Sequence, residues 1–62
     1  MSLGPELSSM TTALSDLATR LARLADELQG TDRNDVAIAL YEVERSLGAA
    51  HRRLQKVVTN LD

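Results

Sequence analysis

The segment LSSMTTALSDLATRLARLADEL, residues 7–28, carries the clearest pattern in the chain, because its apolar side chains recur at alternating steps of three and four residues. That spacing places them along one side of an α-helix. Kept over three heptads, it favours left-handed packing against a partner helix. The row consists of Leu7, Met10, Leu14, Leu17, Leu21, Leu24 and Leu28.

A second row with the same spacing follows, and the two rows match when they are read in opposite directions. Their residue numbers pair off with a constant sum, from Leu3 with Leu61 to Leu28 with Val36. This predicts an all-α fold, an antiparallel and coiled-coil-like two-helix hairpin, with both rows inside the contact. The second row consists of Val36, Leu40, Val43, Leu47, Ala50, Leu54, Val57 and Leu61.

The residues between the two rows have the composition of a turn. Gly30 is expected to adopt the left-handed conformation that ends a helix, and Thr31 or Asp32 to cap the next one. We therefore expect helix 1 over about residues 4–29, a turn over 30–33 and helix 2 over about 33–60. Together they form a single domain over 1–62.

Length and composition restrict what such a chain does. A chain of 62 residues lies near the lower limit for independent folding, and it has no Cys with which to form a disulfide. We therefore expect self-association to supply the missing stability. The absence of Cys also fits a reducing cytoplasm, and a composition rich in Arg, Ala and Leu indicates a bacterial, GC-rich source.

Charge and hydropathy argue against nucleic acid and against a membrane as partners. The net charge of -2 creates no field that would collect nucleic acid. No apolar run approaches the roughly 20 residues that span a bilayer. We expect a cytoplasmic protein with no membrane partner.

One side of the predicted hairpin is small and mostly uncharged, and it holds the only Tyr and the only His. Small side chains let helices approach closely, so this side is predicted to dock a second hairpin and give a homodimeric four-helix bundle. An exposed Ile38 extends the patch toward a further protein partner. The predicted interaction face consists of Ala18, Ala22, Ala25, Ile38, Tyr41, Gly48, His51 and Val58.

Catalytic chemistry is not indicated. His51 has no nucleophile at a spacing that would form a triad, and Glu44 lies a full heptad away, too far to share a metal ion with it. The sequence also contains no glycine-rich phosphate-binding loop and no series of acidic residues with the spacing of a calcium-binding loop. We expect no enzyme activity, no catalytic residue, no cofactor and no metal.

These observations lead to two functional hypotheses. The first is a non-enzymatic protein–protein interaction module that self-associates and acts as an adaptor, regulator or assembly subunit. The alternative is a hairpin dimer that binds RNA or DNA through a basic stripe on helix 2. The candidates for phosphate contacts in that stripe are Arg45, Arg52, Arg53 and Lys56.

Overall fold

The fold is a hairpin of two α-helices of equal length. The computed structural model describes residues 3–61, in which α1 spans Leu3–Leu28 and α2 spans Asn34–Thr59, each 26 residues long. The helices pack side by side into a rod of 48 × 14 × 12 Å, and no strand occurs among the described residues. The prediction of an all-α hairpin is confirmed. Neither helix carries an apolar stretch long enough to cross a membrane.

The connector reverses the chain with few residues. Gly30 has a φ of 80°, the left-handed conformation that was predicted for the end of α1, and its N–H donates to Oδ1 of Asn34 at 3.1 Å. The N-cap of α2 is Arg33, which makes no side-chain capping bond, so the prediction of Thr31 or Asp32 at this position was wrong. Thr31 instead ties the turn together, because its hydroxyl donates to Leu28 O and accepts from Arg33 N.

The contact between the helices, which we call the seam, differs from the predicted one. Its buried residues are Ala25, Ala37 and Thr11, none of which belongs to the two predicted rows. Those members of the two predicted rows that lie nearest the facing helix are half-buried in the seam. The half-buried members are Leu7, Leu14, Leu21, Leu28, Val36, Leu40, Leu47 and Leu54.

The other members of the predicted rows are exposed, so the prediction that both rows lie wholly inside the contact was wrong. Relative to the predicted contact, each helix is rotated about its own axis. The rotation brings small residues into the seam and leaves the other large residues of the predicted rows exposed. The exposed members are Leu3, Met10, Leu17, Leu24, Val43, Ala50, Val57 and Leu61.

Side-chain size explains this rotation. Small residues such as Ala25 and Ala37 let two helices approach closely, and the leucines beside them then fill the space next to the facing backbone. A seam of leucine against leucine would hold the helices further apart. Thr11 can be buried because its hydroxyl donates to Leu7 O at 2.8 Å, which satisfies the polar group within the same helix.

The resulting core is very small. No large side chain is fully buried among the described residues, and only two apolar residues, both Ala, are fully buried. Burial of apolar area is the main stabilising contribution to folding, so this seam alone offers little. The large apolar side chains that could have added to the core lie on the surface.

Candidate functional site

The most prominent surface feature is a continuous row of large apolar side chains along one flank of the hairpin. Within each helix its residues are seven apart, so they lie one above the other on the same side. The large members are between 42% and 49% exposed. We call this surface the apolar face, and it consists of Leu3, Met10, Leu17 and Leu24 of α1 with Val43, Ala50 and Val57 of α2.

The apolar face includes a groove between α1 and the C-terminal half of α2. Leu14 of α1 forms one wall of an open groove of about 620 Å³, and the other wall is formed by α2. The α2 residues in this groove are Ser46, Ala49, Ala50, Arg53, Leu54 and Val57. A shallow apolar groove along a helix pair fits a ridge of side chains from another helix.

The predicted interaction face lies on the opposite flank, and the hairpin itself uses part of it. Ala25 has no exposed surface because it packs against α2, so it cannot contact a second molecule and its assignment to the docking surface is corrected. Ile38 is 55% exposed and does not belong to the apolar face. The remaining members are half-buried along the edge of the seam: Ala18, Ala22, Tyr41, Gly48, His51 and Val58.

At Gly48 itself, no backbone of the other helix approaches closely. A Cβ atom placed on Gly48 would meet only the flexible side chain of Arg52, at 3.7 Å, which is an ordinary contact. The glycine therefore weakens α2 without serving the packing of the hairpin.

Substitution of Gly48 by Ala is expected to stabilise the protein. Ala costs about 1 kcal/mol less than Gly in a helix interior, so we predict an increase of about 0.5–1 kcal/mol in the free energy of unfolding. Urea denaturation followed by circular dichroism at fixed chain concentration measures it. A lower stability, or a loss of self-association, would show that this flank packs against something after all.

His51 lies in a polar groove on the same flank. The groove has a volume of about 420 Å³ and is lined mainly by hydroxyl and amide side chains from both helices. Among residues 3–61 there is no group of three or more His, Asp or Glu side chains that could hold a metal ion. The residues that line the groove with His51 are Ser8, Thr11, Thr12, Ser15, Asp16, Gln55, Val58 and Thr59.

Tyr41 joins the two helices at the connector end. Its hydroxyl donates a hydrogen bond to Asp26 of α1, and the side-chain oxygen of Gln29 lies 3.2 Å from it. The hydrogen bond to Asp26, together with desolvation and the negative charge of that carboxylate, raises the pKa of Tyr41 above 10.0. The hydroxyl of Tyr41 thus forms its hydrogen bonds within the hairpin.

The titration of Tyr41 gives a direct readout of this contact. Because the raised pKa favours the protonated phenol in the folded state, the contact stabilises the fold at lower pH, and that stabilisation is lost as pH rises through the folded-state pKa. The chain has one Tyr and no Trp, so absorbance at alkaline pH reports Tyr41 alone. We predict that the pKa of Tyr41 lies above that of a free tyrosine and that Asp26→Asn shifts it downward. An unchanged midpoint in this variant would contradict the contact.

Three of the four basic candidates lie in the C-terminal half of α2, Arg45 lies near the middle of the helix, and all four are exposed. Arg52, Arg53 and Lys56 line one shallow hollow with Ala49. Arg45 precedes this cluster by two turns of helix and does not line the hollow. Cations in this half of a helix also complement the helix dipole, so their presence has a structural explanation.

Comparison of the chain with family models, with curated proteins and with solved structures gives no match.

The apolar face is the feature that the sequence interpretation missed, although its residues were identified. Leu17 and Val43 were assigned to the interior because their spacing fits a seam. The available signal was the neighbouring row of small residues, represented by Thr11, Ala18 and Ala25, which recurs with the same period of seven. In α1 there are thus three adjacent rows that can be buried, which is the pattern of a helix with two neighbours.

Proposed function

We propose that this chain is a non-enzymatic protein–protein interaction module, a helical hairpin that pairs with a second copy into a four-helix bundle. In this proposal it acts as an adaptor, a regulator or an assembly subunit. A cytoplasmic location belongs to the same proposal, since a chain without Cys requires no oxidising compartment. The observation that carries the proposal is the apolar face, because monomeric proteins rarely expose contiguous apolar rows of this length.

The accessible surface area supports this proposal quantitatively. A compact monomer of 6.8 kDa is expected to expose about 4,000 Å². The hairpin exposes 4713 Å², so about 700 Å² are in excess. Each partner in a protein–protein interface of standard size buries about 800 Å². One docking event on the apolar face would therefore bring the surface of each chain close to that of a compact protein.

A second copy is the occupant that the chemistry favours. The apolar face presents Leu and Met on α1 and smaller Val and Ala on α2, so two copies offer each other both ridges and hollows. Its borders carry acidic residues such as Glu6 and basic residues such as Arg53, which avoids the repulsion expected when a surface of one charge meets itself.

Sedimentation equilibrium tests the proposal. We expect a molar mass of twice the 6.8 kDa of one chain at micromolar concentration. Capture of further proteins from the source cell under mild salt then tests the adaptor role. A stable, cooperatively folded monomer would refute self-association, because it would show that the hairpin folds with its apolar face in water.

Nucleic-acid binding is the second candidate, and it is favoured by one observation: Arg52, Arg53 and Lys56 line the same hollow. If this cluster contacts phosphates, binding to RNA or DNA falls steeply with salt, and Arg52→Glu removes it. The net charge of -2 opposes such binding. We expect no gel shift at low ionic strength, either for the unaltered chain or for Arg52→Glu.

A further inference from the structure

The apolar face also carries information about how two hairpins are arranged. Stacking two copies face to face with two-fold symmetry leaves two orientations along the rod: both connectors at the same end, or at opposite ends. Resting on the proposed self-association, we propose that the connectors lie at the same end, so that α1 of each copy packs on α2 of its partner.

Side-chain volume favours this arrangement. The large side chains of the apolar face all belong to α1, and the smaller ones to α2. Leu14 shares its groove with Ala50 and Val57, so the segment around Met10 and Leu17 lies alongside the segment that contains Ala50 and Val57. When α1 packs on the partner's α2, the Leu and Met side chains from Met10 onward meet the smaller Val and Ala side chains. Such layers interdigitate at native density.

The opposite orientation produces a mismatch in volume. It places α1 on the partner's α1 and α2 on the partner's α2, so Leu and Met meet Leu and Met on one side of the interface. On the other side, Val and Ala meet Val and Ala across a wider gap. Overpacking and voids both destabilise a core, and this orientation has one on each side.

Charge at the border of the apolar face favours the same choice. On α1 this border contains Glu6 near the start, Arg20 further along and Glu27 near the end, all exposed. An antiparallel pair of α1 helices would bring Glu6 of each copy within about one helical turn of the partner's Glu27, and these like charges repel each other. With the connectors at one end, Glu6 and Glu27 instead face the ends of α2, at Asn60 and Ala39, which carry no charge.

A distance between two connectors tests the arrangement directly. The chain has no Cys, so Asp32→Cys provides a single attachment point for a spin label, at an exposed side chain in the turn. Double electron–electron resonance on this dimer is expected to give a distance of about 10–25 Å, which is one helix diameter between the connectors lengthened by the two label side chains. Opposite ends would separate the labels by most of the 48 Å length of the rod.

A mixed dimer provides the matched control. One chain carries the label at Asp32→Cys and the other at Asn60→Cys, near the opposite end of the hairpin. The proposed arrangement predicts a long distance in this pair, and the alternative predicts a short one. A short mixed distance with a long Asp32 distance overturns the arrangement but leaves self-association intact. A monomeric mass with no interchain distance refutes the proposed function itself.

Discussion

Replacement of Leu17 by Glu is expected to convert the proposed dimer into a monomer. Leu17 lies near the middle of the apolar face, and two-fold symmetry brings the change into the interface twice. Burying two carboxylates without partners costs several kcal/mol, so we predict that the dimer dissociation constant rises at least about 100-fold. Sedimentation velocity over a range of chain concentrations measures this change.

Thr19→Glu serves as the matched control for this experiment. It adds the same charge to the same helix, two residues further on, but its exposed side chain points to the opposite flank. We expect this variant to dimerise like the unaltered chain. If Thr19→Glu dissociates the dimer and Leu17→Glu does not, the two copies meet through the small-residue flank instead.

Replacement of Ala25 by Leu is expected to destabilise the hairpin. Ala25 is fully buried in the seam, and three additional carbon atoms would force the helices apart. Overpacking of this kind costs about 1–3 kcal/mol, a large fraction of the stability of so small a protein. Urea unfolding followed by circular dichroism measures the loss, at one fixed chain concentration because the stability of a dimer depends on it.

Ala13→Leu provides the comparison, because Ala13 is an exposed residue of the same helix that lies outside the seam, on the border of the apolar face. It changes the same side chain by the same volume, and we expect a difference below about 0.5 kcal/mol. Equal stability of the Ala25→Leu variant and the unaltered chain would mean that Ala25 has space beside it. The seam would then lie on the leucine rows, as the sequence pattern alone indicates.

The existence of two antiparallel helices could be predicted from the sequence because local signals determine it. The three–four spacing defines each helix, and Gly30 supplies the left-handed turn between them. These signals act over a few residues and do not depend on how the two helices are rotated. The hydrogen bonds of the connector could not be predicted in the same way, because Thr31 bonds backbone groups on both sides of it without capping α2.

The rotation of the helices could not be read from spacing, because two seams satisfy the same pattern. The leucine row that contains Leu14 and Leu21 belongs to both. It can pair with the small row of Ala18 and Ala25, or with the large row of Leu17. The choice depends on side-chain volume across the contact, which becomes evident only when both helices are placed together.

The same ambiguity explains the outcome for the candidate site. The sequence distinguishes a flank of small, uncharged residues from a charged flank. It does not show which flank is buried between the two helices of the hairpin. Burial of Ala25 and the bond between Tyr41 and Asp26 assign much of the small flank to the hairpin's own contact. The leucines assigned to the interior become the surface that a second copy would cover.

An isotope-filtered NOE experiment on a mixture of ¹³C-labelled and unlabelled chains examines that surface most directly, since it detects only contacts between different molecules. The apolar face predicts intermolecular NOEs from the methyl groups of Leu17 and Leu24. Cross-peaks confined to Ala22 and the flank around it, or no intermolecular cross-peaks at concentrations where the hairpin is folded, would contradict it.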